Sequence, residues 1–428
     1  MTVAYLTSQY PALSHTFIER EVRAVRDAGV DVATFSVRPC PPDELRSEAM
    51  REDAEQTPTL RGSSLSTWAR AHASLGRRNP RVFAAGLRRA LASGPRTPKG
   101  RTWQLFYLAE AVLLYERLRA RGITHVHAHF ANVASDVARL VAYLGQVEDG
   151  PGSPWRWSLT MHGPTEFEAV EAFDLPAKVR SADGIACISD FCRSQLMRFV
   201  EPDHWDKMDV VRMSVDAARY RPADDAAMQA RQTDDPSAGG GDATGRPLRL
   251  LYVGRLVPEK GSPVLLDAIG RLTDEGVPTT TRIVGAGDLR DSLDTAIRAR
   301  GLGERVELVG PVGQDHLPEL YRESDVFVLP SFSEGLPVVL MEAMATGIPV
   351  VTTQIAAVGE MVQDGVQGRV VPAGRADLLA DAIADLARDP ARRREMGRAG
   401  RETILAEFVP EVTGPAMARF LQGVRPAR

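Results

Sequence analysis

Residues Ser331 to Gly347 read SFSEGLPVVLMEAMATG. Just before them, VFVLP (Val326 to Pro330) is a short apolar run of the kind that forms a strand buried on both faces of a parallel sheet. The loop from Ser331 therefore leaves the carboxyl end of a sheet strand, where open α/β sheets hold their ligands. The pattern predicts a helix from Leu336 to Met344, with Pro337 in its first turn, where a missing N–H costs no intrahelical bond. Glu334 precedes that helix and Glu342 lies inside it, eight residues later. Amides of Gly335, Leu336 and Val338 at the helix start would offer donors and a positive dipole end to hydroxyl or phosphate oxygens. A buried helix with a capping glutamate fits the same spacing, and the stretch by itself leaves both readings open.

The surroundings repeat the same alternation. LRLLYVG (Leu248 to Gly254) reads as a strand, with Gly254 freeing the turn and Arg255 and Lys260 on the loop and helix entrance that follow. Two cations there suit a diphosphate, whereas a purely structural role would set them against the helix dipole. TRIVGAGDLRDSL (from Thr281) is strand, Gly-x-Gly and helix, but Arg290 stands at the third glycine's place and weakens a dinucleotide-oxidoreductase reading. VELVG, IPVVTT and GRVVP supply further strands, with helices expected at 376–388, 391–407 and 412–424. Towards the amino terminus, TVAYLT, VDVATFSV, HVHAHF, WRWSLTMHG and ADGIACIS alternate with helical runs. The expected fold class is α/β, two doubly wound parallel sheets. The polar, glycine-rich 223–247 cannot bury a core and reads as a flexible linker between domains 1–222 and 248–408, with 409–428 as a tail.

Glu, seven residues, Glu, within EGLPVVLMEAMATG, resembles the signature of family 4 glycosyltransferases, enzymes of the GT-B fold. GRLVPEKG resembles that family's phosphate-binding motif, MHGPTEF its THG-type motif, HVHAHF its usual strand end, and SQYPALSHTFIEREV a subset that builds exopolysaccharide or cell-surface glycans. The resemblance implies two Rossmann-like domains facing a central cleft, with a C-terminal helix in 409–428 packing back on the first domain. It implies a retaining transfer from a UDP- or GDP-linked sugar to a glycan, lipid-linked or small-molecule acceptor. By it Arg255 and Lys260 hold the diphosphate, Glu334 contacts the donor sugar, and Glu342 binds the ribose. Backbone amides from Gly335 through Leu336 and Pro337 to Val338 line the sugar or phosphates, and Val312 holds the base. His162 touches the sugar or orients the acceptor, with Ser14, His15, Thr16 and His129 on the acceptor side. For Ser14 and Thr16 plain helix capping reads equally well, and a lone His162 hydrogen-bonded within its loop is the structural alternative.

The chain has 428 residues and a formal net charge of −4, which argues for two domains and against nucleic acid as a partner. Of 52 basic residues only Lys99, Lys178, Lys207 and Lys260 are lysines. Three cysteines without zinc-like spacing fit a reducing cytoplasm, Cys187 and Cys192 as core thiols. No signal peptide or transmembrane run is legible. The arginine-rich helices expected over 66–91 read either as a solvated basic face or as peripheral contact with the inner membrane leaflet. His125, His127 and His129 alternate onto one strand face, about 7 Å apart, too far for one ion without other ligands. No Asp-x-Asp pair occurs, so neither metal nor cofactor is demanded. Two other classes share the architecture: a non-catalytic nucleotide-sugar or glycan binder, and a phosphorylase or epimerase. A pyridoxal-phosphate enzyme would need a dedicated lysine, and Lys260 is already assigned to phosphate.

Overall fold

The computed structural model describes residues 1–12, 15–45, 47–95, 97–223 and 246–426. These fall into two compact units, Met1–Met213 with Pro410–Arg428, and Ser214–Val409. Ser214 to Pro222, expected with the first domain, belong to the second unit. There Val215 donates its amide to the Phe408 carbonyl, and the fully buried Tyr220 meets Tyr321 edge-on. The linker expected at 223–247 lies almost wholly outside the described residues.

The first unit's sheet is six-stranded. Its strands are β1 (Thr2–Gln9), β2 (Asp31–Arg38), β3 (His125–His129), β4 (Arg156–Met161), β5 (Gly184–Cys187) and β6 (Met208–Val210). Every pairing is parallel, in the order β2-β1-β3-β4-β5-β6. Helices cover both faces, so Val3 to Leu6 and all of β3 are buried, as central parallel strands require. The edge strand β6 is short and stops at Val210. The arginine-rich region forms helices Leu65–Arg78 and Pro80–Ala92, broken at Asn79, whose side chain caps the second.

The second sheet holds β7 (Leu248–Val253), β8 (Thr279–Val284), β9 (Val306–Gly310), β10 (Val326–Leu329), β11 (Val350–Thr353) and β12 (Gly368–Val371). Its order, β12-β11-β10-β7-β8-β9, is again parallel throughout. The chain reverses direction across the sheet between β7 and β10. The loops leaving the carboxyl ends of these neighbours splay apart, which makes the crevice where doubly wound sheets bind ligands. In the first sheet the same reversal falls between β1 and β3.

The helix after β10 spans Val338–Ala345, two residues later than the sequence predicts. Pro337 takes extended backbone angles (φ −73°, ψ 115°) and stands before the helix instead of within its first turn. This leaves Gly335 and Leu336 in the loop. No helix among the described residues is long and apolar enough to cross a membrane.

Candidate functional site

At the reversal of the second sheet, β7 ends in Gly254 and β10 in the loop from Ser331. Between them Pro258–Lys260 makes one 3-10 turn, closed by Gly261 in the left-handed region (φ +66°). A Cβ at Gly261 would collide with the carbonyl oxygen of Pro330, so this glycine lets the two loops touch. The contact is completed by Phe332, whose amide donates to the Glu259 carbonyl at 2.8 Å. As a result Lys260 Nζ donates to Glu334 Oε1 at 2.6 Å, and Ser331 Oγ donates to the same oxygen at 2.8 Å. The Glu334 side chain is 8% exposed and that of Lys260 18%. A charge-assisted bond so shielded from water holds both groups in one geometry.

Arg255 is exposed and has no carboxylate at ion-pair distance among the described residues. Its backbone carbonyl accepts from Tyr252 Oη at 3.2 Å, which ties the loop to the strand beneath. Gly285 and Gly287, the expected tight corner, lie against the Gly254 and Leu256 carbonyls, where no side chain would fit. Val312 is half-buried just beyond β9, on the sheet's edge. Glu342 turns inward at 2% exposure, and its Oε2 accepts from Tyr321 Oη at 2.9 Å. Burial first, then the charge of Glu342, raises the Tyr321 pKa. Glu334 and Glu342 thus differ in setting: one faces the crevice loops, the other the helix–helix interior.

In the first unit the reversal between β1 and β3 gathers histidines. His162, one residue beyond β4, sits with Nε2 2.9 Å from His129 Nδ1. The rings of Phe130 and Phe17 flank it at 4.5 and 4.8 Å. His129 is completely buried, so the expected acceptor contact gives way to a supporting position behind His162. Its Nε2 lies 3.4 Å from Glu21 Oε1. His15 caps the helix Thr16–Asp27 through its backbone alone and packs on Phe130. Thr16 Oγ1 accepts from Arg20, and Ser14 lies outside the described residues. Burial, then the charge of His129, lowers the His15 pKa to about 4, and burial also pushes His162 well below the usual imidazole range. Glu166 turns back to accept the Ala131 amide at 3.1 Å, so it braces the loop.

Ligand atoms of Glu21, His127 and His129 fall within 4.8 Å of one another. The strand histidines come closer than extended spacing implies because their rings tilt, to a 5.0 Å centroid distance. Both His127 nitrogens are engaged, Nδ1 with Ser158 Oγ at 2.8 Å and Nε2 with Thr160 Oγ1 at 2.9 Å. A metal would have to break those bonds. Glu21, Ser331 and Tyr321 carried no local signal as site residues, since each acquires its partner through the fold.

Residues 241–403 match the family model described as "Glycosyl transferases group 1". The chain is 31% identical to alpha-D-kanosaminyltransferase of Streptomyces kanamyceticus over 61% of its length and 66% of that protein's. It is 31% identical to the putative colanic acid biosynthesis glycosyltransferase WcaL of Escherichia coli over 57% and 58%. Each match thus covers somewhat less than two thirds of the relative. The fold superposes on Anabaena Alr3699/HepE, solved in complex with UDP, at a TM-score of 0.70, with 16% identity, 99% of this chain and 100% of that one covered. The group 1 glycosyltransferase model thus matches across the sheet whose reversal holds the paired Lys260 and Glu334, and the two doubly wound sheets share the GT-B fold of the solved structures they superpose on.

Proposed function

We propose that this chain transfers a sugar from a nucleoside-diphosphate sugar to a hydroxyl-bearing acceptor, with retention at the anomeric carbon and without a metal. The observation that carries this reading is the Lys260–Glu334–Ser331 cluster at the carboxyl ends of β7 and β10. Arg255, with no carboxylate at ion-pair distance among the described residues, lies on the loop beside it. In the transfer the sugar–phosphate bond breaks and the acceptor oxygen bonds to the anomeric carbon. The acceptor's proton passes to a phosphate oxygen of the leaving diphosphate. Arg255, Lys260 and the amides ahead of Val338 stabilise the charge that develops on that leaving group. Glu334 is assigned the donor sugar, Val312 the base and Glu342 the ribose. His162, with His15 and Thr16, is assigned the sugars on the first unit.

The relatives' names support a glycan or glycolipid acceptor, and HepE's bound UDP supports a uridine donor, while GDP-mannose-dependent relatives keep guanosine in view. Calorimetric titration with UDP, GDP, UDP-glucose and GDP-mannose tests the reading. Binding of one nucleotide pair, stabilising the protein by about 2.7 kcal/mol at a hundredfold excess over Kd, is the expected outcome. Absence of binding by all four overturns it. Product anomer, read by NMR, and turnover after chelation test retention and metal independence.

Peripheral membrane contact is favoured by one further feature. Residues 57–109 contain ten Arg or Lys and no Asp or Glu, in a chain of net charge −4. Leu65, Trp103 and Phe106 are exposed beside them. Basic helices with exposed apolar side chains suit an anionic lipid surface. Sedimentation with phosphatidylglycerol vesicles but not with phosphatidylcholine vesicles is expected, and equal recovery with both would remove the membrane from the proposal.

A further inference from the structure

Four groups form a file through the first unit. Tyr5 Oη donates to Glu21 Oε1 at 2.9 Å, and the same oxygen lies 3.4 Å from His129 Nε2. On the other side of that ring, His129 Nδ1 and His162 Nε2 are 2.9 Å apart. The far nitrogen, His162 Nδ1, is buried and has no hydrogen-bond partner among the described residues. His127 does not enter this file, because Ser158 and Thr160 occupy both of its nitrogens.

The gap of 3.4 Å is ion-pair distance and long for a hydrogen bond, so the sign of charge decides. A ring lone pair aimed at a carboxylate is repelled, while an N–H is attracted. His129 is fully buried, and no water competes for that nitrogen. When both imidazoles are neutral, each ring carries one proton. The His129 proton then sits on Nε2, facing Glu21, and its Nδ1 is a bare acceptor. Only His162 can fill the 2.9 Å contact, by donating from Nε2. Its Nδ1 is left as a lone pair. A hydrogen bond at one ring nitrogen thereby sets what the other can do.

We infer that Glu21 and His129 are positioning residues that fix His162 in the Nε2–H tautomer, so that its Nδ1 accepts a hydrogen bond from a hydroxyl of a bound sugar. This rests on the proposed transferase reading for the ligand, and on geometry alone for the tautomer. A phosphate or carboxylate oxygen brings no proton and meets a lone pair there. A hydroxyl satisfies a buried nitrogen that is otherwise unmatched.

The test uses the full chain labelled with ¹⁵N-histidine at pH 8, read by two-bond proton–nitrogen correlation without ligand. His129 and His162 should both show the Nε2–H pattern, Glu21→Asp should keep it, and Glu21→Leu should turn both rings to a tautomer mixture. An Nδ1–H pattern at His162 in the native protein, or an unchanged pattern in Glu21→Leu, overturns the inference. A calorimetric arm compares UDP with UDP-glucose and GDP with GDP-mannose. Glu21→Leu should weaken the sugar nucleotide that binds by about tenfold beyond any loss for the bare nucleotide, and equal losses for both overturn the sugar contact. If no nucleotide binds the native protein, the transferase reading fails while the tautomer spectra still decide the positioning claim.

Discussion

Lys260 and Glu334 each stand out in the sequence as candidate site residues, one in GRLVPEKG and one in SFSEGLP, but not as partners, since 74 positions separate them. Their pairing makes the lysine a shared charge: part of its field is spent on a nearly buried carboxylate before any phosphate arrives. Removing the lysine alone strands that carboxylate, at a cost of ~3–5 kcal/mol. Lys260→Met should therefore lose both stability and turnover. Lys260→Met with Glu334→Gln should regain most of the stability in a urea melt, while turnover stays down by roughly 10²–10³-fold. Recovery of turnover in the double variant would dismiss the pair from the chemistry. Glu19 gives a second residue-scale prediction. Burial, with the Asp53 charge next, lifts its carboxyl to about 7, and one of its oxygens has no partner among the described residues. A folded-state pKa raised above the unfolded one means the native protein binds the extra proton, so stability declines as pH rises from about 4.5 to 7. Glu19→Gln should melt near the native temperature at pH 4.5 and above it at pH 8, by about 2–4 °C per kcal/mol regained. A difference independent of pH would contradict this.

At the scale of elements, strand identity was written in short apolar runs and helix identity in 3.6-residue spacing. The helix 376–388 begins and ends where its pattern does. The Val338–Ala345 helix starts late because Pro337 keeps an extended ψ that the loop geometry imposes, and no local pattern records that choice. The 3-10 turn Pro258–Lys260 is likewise an element of contact, held by Gly261 against Pro330. Gly261→Ala places a Cβ in a left-handed backbone and into a carbonyl oxygen. It is expected to cost ~1–3 kcal/mol and to displace the turn. Nucleotide affinity should fall along with it. Native affinity in Gly261→Ala would show that the turn does not position Lys260 for the ligand.

For the whole molecule, the chain's last helix, Pro410–Gly423, is built into the first unit. It lies along the helix Thr16–Asp27, with Gly414 so close to Ala24 that a side chain would not fit. Met417, Phe420, Leu421 and Val424 share a core with Val3, Tyr5, Ile18 and Val22. Burying four such side chains contributes on the order of 6–12 kcal/mol, comparable with the entire stability of a domain. Ending the chain at Val409 should therefore leave the first unit open to limited proteolysis while the second resists. Equal resistance of both units would refute the dependence.

The amino-acid sequence by itself determined the alternation of strand and helix, the parallel class of both sheets, and the loops at the strand ends that carry the candidate site residues, because these follow from local spacing and from turn residues at strand ends. Only the tertiary structure decided which groups face one another: Lys260 with Glu334, Glu21 with His129 and His162, and Glu342 with Tyr321. The reason is physical. Such partners are brought together by sheet order and burial, and the free energy that joins them belongs to the packed core and not to any short stretch of chain.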